Sequence, residues 1–444
     1  MAVEPQDIRL FANHSFRRLI ESRAVGQVGQ SAMLFTLLII VVEKTDSSLH
    51  STMLVTAFIL PSILLGLPAG GLADILPRRG LLVSGYLARA ALVIAMVYYD
   101  NDLWNLYLLA FVFSCVGQVT GPAESASLPG LVGRDRLTAA NSWMVLSVTL
   151  GQAAGAIVLA PVAIKLAGTS ESLATSVLAF AAAAFVVSAA IDLNRRVEDD
   201  GPRDRTGLAE AMTAGWRVLR TSRRAFLALV YLTVVGTLSK ALAVLAPRYT
   251  RDVLDISAEN AVFVVAPAAI GAIIALAFTP PLARLFGALR IAAVGFILYV
   301  LSIAGLGLVV LVRDNIVENL QLAPGLTFVE NEVGVSSVIT MAMILAIPVG
   351  FSATMAAVAG RAVLNEEAPQ GKQGRVFATQ SALSDALSLL PLFAIGGVAE
   401  LVGVREVLLV AAITGLVAGI YLSMSRRFGP PPQPPPEPAA AQAG

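Results

Sequence analysis

Two ionisable residues of this sequence, Lys240 and Asp385, stand deep inside long apolar runs, where a charge is expensive. In hydrocarbon a charged side chain costs about 3 kcal/mol or more, so it faces a cavity or a partner. Asp385 is the one acid that lies deep in such a run, and a carboxyl there can take up and release a proton. Lys240 lies about 14 residues into its run, or roughly 21 Å at 1.5 Å per residue, and Asp385 about nine residues, or roughly 14 Å. A lysine stem can bridge the gap of about 7 Å, which makes an ion pair available, direct or through water. The alternatives are a Lys240 that snorkels outward and an Asp385 that faces a cavity alone. Gln30, Gln118 and Gln152 are uncharged polar residues in further runs. They can line a cavity and donate to a neutral or amphipathic molecule, or bond one helix to another.

Other chemistries are poorly supplied. Two histidines, His14 and His50, and one cysteine, Cys115, make up the whole stock of those residues. No disulfide, cysteine-rich metal site or clustered histidine site can be built from them. Nothing resembles a phosphate-binding P-loop, so direct ATP coupling is not expected. The reading is of a non-enzyme without cofactor or metal. The net charge of +1 carries no sign of a nucleic-acid partner.

Charged residues make up 14% of the 444 and apolar ones 57%, against about a quarter charged in soluble domains. This is the composition of a membrane protein. Apolar runs of roughly 20 residues fall at roughly 20–42, 50–73, 81–99, 104–125, 139–165 and 174–193, then at 226–247, 260–283, 291–312, 336–358, 376–399 and 404–424. These are twelve helices in two groups of six. The start MAVEPQDIRLFANHSFRRL is polar and the first run exceeds a signal-peptide core, so no cleavage is expected. Alternate connections hold 22 and 6 lysines and arginines, Arg361 being counted in the richer set. That bias places both termini and the central loop in the cytoplasm. The central stretch RRVEDDGPRDRTGLAEAMTAGWRVLRTSRR has Leu208, Met212, Trp216 and Leu219 at helical spacing. It reads equally as an amphipathic helix on the membrane surface or as a solvated linker. The tail FGPPPQPPPEPAAAQAG has no apolar face and should be extended. The expected units are residues 1–193, the central loop 194–225, residues 226–425 and the tail 426–444.

Between the second and third runs stands GGLADILPRRG, expected as the cytoplasmic turn. Gly70, Leu72, Ala73, Asp74, Arg78 and Arg79 resemble the loop motif of the major facilitator superfamily, with Ile75 and Pro77 departing from it. GPAESASLPGLVGRDRLTAANSW and the segments around Phe11 and Trp216 resemble that family's drug-efflux branch, which includes macrolide efflux pumps and the enterobactin exporter. Gln30 stands where such proteins often carry an acid. Lysophospholipid transporters share several of the same features. The second-half counterpart PPLARLFGALR keeps the Leu-Ala pair and replaces the acid with Arg284. AANSWMVLS and ATQSALSDA occupy matching places, as expected for a repeated unit with its site between the halves.

The resemblance implies an all-α integral membrane protein, twelve transmembrane helices in two six-helix bundles. It implies that Asp74 docks on the start of helix eleven, near Arg375, when the cytoplasmic side closes. It also makes helix three peripheral, so Arg89 is expected to support packing or to pair near the cytoplasmic face, and Glu124 to pair with a motif arginine. The function so expected is proton-coupled export of an amphipathic small molecule, a drug or siderophore-like compound, by a monomer in the cell membrane. The alternatives are lysophospholipid movement between leaflets and a non-transporting sensor or scaffold. With Cys115 replaced, single cysteines at Thr206 and at Asn319 should react with an impermeant maleimide from opposite sides of the membrane. Labelling from one side would overturn the twelve-helix arrangement.

Overall fold

The computed structural model describes residues 10–75, 77–98, 102–132, scattered positions within 140–155, 170–193, 219, 221–256, 261–309, 336–368 and 373–425. Among the described residues every regular element is a helix. In order come α1 (His14–Thr45), α2 (Ser48–Ile75), α3 (Arg78–Tyr98) and α4 (Leu103–Leu131), then the helical positions of 140–155, here α5, and α6 (Ser170–Leu193). The second six are α7 (Arg223–Asp252), α8 (Ala261–Phe286), α9 (Ala288–Gly307), α10 (Ser337–Glu367), α11 (Gln373–Val402) and α12 (Val404–Ser425). Among the described residues, ten helices are long and apolar enough to cross a membrane. They carry exposed Leu64, Leu108, Ile270, Phe278, Leu301 and Ile413. Exposed Tyr98 and Trp104 flank the α3–α4 connection, where amphipathic rings meet a membrane–water boundary.

The two groups of six are bundles. In the first, α2 packs on α4, and α6 on both α1 and α3; in the second, α8 packs on α10, and α9 on α10 and α12. Two apolar helices gain nothing from each other that lipid would not supply, so close backbone approach must hold them. The α8–α10 crossing shows how this is done. A Cβ at Gly350 would overlap the Ala268 carbonyl, and one at Gly271 the Ile347 carbonyl.

Several boundaries differ from expectation. The stretch GGLADILPRRG is no extended turn: α2 stays helical through Gly70 and Asp74 to Ile75, and α3 begins at Arg78. Pro77 has no N–H to leave unbonded there, and its carbonyl accepts the Leu81 N–H at 3.1 Å. The corresponding link in the second bundle is the single residue Gly287, at φ 91°. Only glycine takes that conformation without strain. Helix α10 runs past the expected end at 358 to Glu367, which moves Arg361 from a connection into the helix. The reason is polar anchoring: Arg224 at the start of α7 holds Glu366 at 2.6 Å and Glu367 at 2.8 Å, extending the helix beyond its most apolar part. The amphipathic segment around Trp216, the tail and the segment 310–335 lie outside the described residues, except that Leu219 is buried against Ala225 and Val376.

Gly350→Ala should push α8 from α10, a packing insult of about 1–3 kcal/mol. Thermal unfolding in detergent should show a lowered midpoint, while Gly236→Ala, where a Cβ meets nothing within 4 Å, leaves it unchanged or raised. Equal midpoints would show that the crossing is not tight.

Candidate functional site

The site is built from polar side chains that face one another across and within the bundles. Lys240 lies 17 residues into α7, about 26 Å along it, and Asp385 12 residues into α11, about 18 Å. The structure brings them together: Lys240 Nζ donates to Asp385 Oδ1 at 2.6 Å and to Ser388 Oγ at 3.1 Å. The other carboxylate oxygen accepts from Ser62 Oγ of α2 at 2.5 Å. Asp385 therefore ties α7 to α11 inside one bundle and α11 to α2 of the other. Both charged side chains keep about a quarter of their surface exposed, 27% for Lys240 and 23% for Asp385. Ser384, beside Asp385, meets Thr233 Oγ1 at 2.7 Å and accepts from Gln380 at 2.9 Å, extending the polar strip toward the end where the termini lie.

A second group lies in the first bundle. Glu124 is buried, as is Arg89. Among the described residues Glu124 pairs with Arg23 of α1 and accepts from Tyr86 Oη at 2.7 Å; the side chain of the motif arginine Arg78 lies outside the described residues. Arg89 takes the first of its two expected roles, support of packing: its guanidinium lies over the rings of Phe113 and Phe185, at 5.1 Å and 5.8 Å from their centres, a cation–π seat in the bundle core. Ser22 donates to the buried Asp192 at 3.1 Å. Sequence reasoning passed over Arg23, Tyr86 and Asp192. Their signal was faint, since Arg23 and Asp192 sit near helix ends that resemble ordinary membrane edges.

The glutamines divide. Gln152 Nε2 donates to Gln27 Oε1 at 3.4 Å, and its carbonyl accepts from Ser31 at 3.0 Å, so it joins α5 to α1. Gln30 and Gln118 are half-buried, with Gln118 near Gly66 of α2. Gly70, Asp74 and Arg78 are placed on or beside the α2 end and Arg375 in the first turn of α11; the contacts of these side chains lie outside the described residues. Arg79 begins α3 half-buried.

At the end away from the termini the bundles meet. Arg251 of α7 pairs with Asp46, the left-handed residue that caps α1, at 2.6 Å. Glu400 near the end of α11 accepts from Ser47 Oγ and, at 3.0 Å, from the Leu49 N–H. Arg248 reaches Ser48 Oγ at 3.4 Å. Beneath these ties, Ala241 and Val244 of α7 and Leu392 of α11 belong to the same buried cluster as Leu37, Val41 and Leu54 of the first bundle. This end is closed.

Two packed six-helix bundles, closed on each other at one end and joined near the middle by Ser62 to a part-buried ion pair of the second bundle, define a polytopic membrane protein with polar chemistry between its halves. The chain belongs to the Major Facilitator Superfamily, which it matches over residues 24–329. Over 124 residues it is 32% identical to the uncharacterized MFS-type transporter YfiS of Bacillus subtilis (strain 168), a match covering 28% of this chain and 30% of that relative's length. Its backbone is similar to the nucleoside transporter NupG, with a TM-score of 0.70 at 11% identity over 93% of this chain and 99% of that one. It is also similar to an inward-facing bacterial homologue of the iron transporter ferroportin, with a TM-score of 0.64 at 16% identity over 94% and 99%. At these identities the likeness is one of fold.

Exposed ion pairs contribute about 1 kcal/mol at most, or roughly a fivefold change in an equilibrium. Thr52, buried against Gly396, offers a probe of the closed end. Thr52→Cys in a background without Cys115 should react slowly with an impermeant maleimide, and several times faster when Arg251→Gln and Glu400→Gln are added. An unchanged rate would assign closure to the apolar cluster alone.

Proposed function

We propose that this protein is a secondary transporter that works by alternating access, with Asp385 as the proton carrier and an amphipathic small molecule as the exported substrate. The observation that carries the reading is the double engagement of Asp385, which holds Lys240 in its own bundle and Ser62 in the other. A charged Asp385 accepts both bonds. Protonation removes the ion pair, leaves the Lys240 ammonium unneutralised and weakens the tie to α2. The protonation state of one carboxyl is thus linked to the free energy of separating the bundles, and linkage of this kind is reciprocal.

The basic bias of the connections puts the termini in the cytoplasm, so the closed end is external and the cleft opens inward. Export is favoured by the resemblance of GPAESASLPGLVGRDRLTAANSW to the drug-efflux branch. In that branch an acid of the first helix is common; Gln30 replaces it here, and Asp385 on α11 takes over the proton-carrying role. Asp74 and Arg375 are proposed to close the cytoplasmic side in the opposite state. The midplane between two repeated halves is where such a transporter places its substrate.

In proteoliposomes with an imposed pH gradient, Asp385→Asn should abolish gradient-driven substrate movement while substrate still stabilises the purified protein against heat. Gradient-dependent transport that survives unchanged would remove Asp385 from the coupling step.

A further inference from the structure

The closed end holds a histidine that takes no part in the ion pairs described above. His50 stands in the first turn of α2, half-buried, with Nδ1 3.0 Å from Ser47 Oγ. Its backbone N–H lies 3.2 Å from the same oxygen. Ser47 Oγ in turn meets Glu400 Oε1 of α11, in the other bundle. Ser47 is itself fixed in place: its N–H donates to Thr45 Oγ1 at 3.2 Å and its carbonyl accepts from Ser51 Oγ at 3.3 Å.

The protons of this chain follow from the partners. A hydroxyl has one proton to give and two lone pairs to accept with, and an ionised carboxylate only accepts. Glu400 Oε1 also takes the Leu49 N–H at 3.0 Å, so the Ser47 proton goes to Glu400. Ser47 Oγ then accepts from both nitrogens of His50, and Nδ1 carries the proton of the neutral ring. A second proton enters at Nε2 without breaking a bond. It puts a positive charge at the head of a chain that ends on a carboxylate of the opposite bundle. Hydrogen bonds from charged donors are the stronger ones, and each bond of a chain polarises the next.

The other charged groups described at this end, on helices packed against α2, are Glu43, Lys44 and the capping Asp46 of α1, Asp102 at the start of α4, Arg248, Arg251 and Asp252 of α7, and Glu400. The two arginines have acids of their own, Arg251 with Asp46 at 2.6 Å and Arg248 with Asp252 at 3.0 Å. The described donors to Glu400 are a hydroxyl and an amide, both neutral, so its charge is the one a cation at His50 complements. Ordinary carboxyl, lysine and arginine side chains change charge outside the range of about pH 5 to 8, and an imidazole changes within it.

We infer that His50, Ser47 and Glu400 form a pH-sensitive latch between the bundles, in which protonation of His50 strengthens closure of this end. Ser47 and His50 stay together when the bundles part, and Glu400 leaves with α11. The imidazolium therefore gains from the closed state what the neutral ring does not, and by linkage the closed state holds the proton more tightly. Closure is firmest in acid and weakens as pH rises through the imidazole range. The groups are partly exposed, so the effect is a bias of about two- to fivefold on opening, and coupling is left to Asp385. The inference stands on the geometry of the closed end and does not need the transport reading.

The test reads opening through Thr52→Cys, buried at this end, in the full-length protein without Cys115 in an uncharged detergent. Maleimide reaction rates are compared between about pH 5.5 and 7.5, across the imidazole range. Each rate is taken as the ratio of a variant to its parent at the same pH, which cancels the titration of the thiol. Glutamine donates a hydrogen bond but does not titrate, so the ratio for His50→Gln should fall about two- to fivefold from the acid to the alkaline limit. Ser47→Ala, which cuts the middle of the chain and leaves His50 in place, should give the same pH dependence. With Glu400→Gln in both members of the comparison, the His50→Gln ratio should become constant. A ratio that is constant from the outset would overturn the latch, and so would a pH dependence that survives Glu400→Gln or is missing from Ser47→Ala.

Discussion

In hydrocarbon, hiding one apolar helix against another gains little, because lipid tails are as apolar as leucine. Cohesion has to come from close van der Waals approach or from polar groups that find no water. Within each bundle the first device dominates: the backbones of α8 and α10 touch at Gly271 and Gly350. Between the bundles the second does much of the holding, through Ser62 with Asp385, Asp46 with Arg251 and Ser47 with Glu400. Interdigitated packing resists sliding, whereas a few hydrogen bonds can break and form again. The division makes each bundle stiff and the plane between them the place where the molecule can move.

The same constraint governs where charge is tolerated. Arg89 in the core of the first bundle is accommodated by the faces of Phe113 and Phe185, and Arg23 by Glu124. Arg361 receives neither aromatic face nor carboxylate among the described residues, and is exposed instead. A guanidinium cannot shed its proton to escape burial, so its surroundings have to remain hydrated or supply an anion. That contrast separates charges seated in the packed bundle from one left at the surface.

Much of this was legible in the sequence, and its limits have physical causes. Twelve helices follow from apolar run length, and the meeting of Lys240 with Asp385 from depth counted along two parallel helices, because rise per residue is nearly constant. Rotation about a helix axis is another matter. Glu124 points toward Arg23 of α1, and no count of residues reports which of two neighbouring helices a side chain faces. Helix ends were also missed wherever polar pairs extend a helix beyond its apolar window. Arg224 with Glu366 and Glu367 does this for α10, and the hydropathy of Asn365, Glu366 and Glu367 hid the fact that Arg361 is helical. The motif GGLADILPRRG marked a membrane edge but not its shape, since Leu72 and Ala73 are good helix formers that let α2 continue through the glycines.

The ties at the two levels of the interface differ in strength for a reason that bears on control. Asp46 and Arg251 keep 67% and 38% of their side-chain surface exposed, so water and salt screen them and their separation costs little. Lys240 and Asp385 are less exposed and each has a second hydroxyl partner, Ser388 for the ammonium and Ser62 for the carboxylate. Parting them while both are charged strands two ions in a poorly hydrated place, which costs far more than the pair contributes when intact. Neutralising the carboxyl first avoids most of that cost. The outer pairs can then position the closed end without deciding when it opens, and in the proposed mechanism that decision falls to the proton on Asp385.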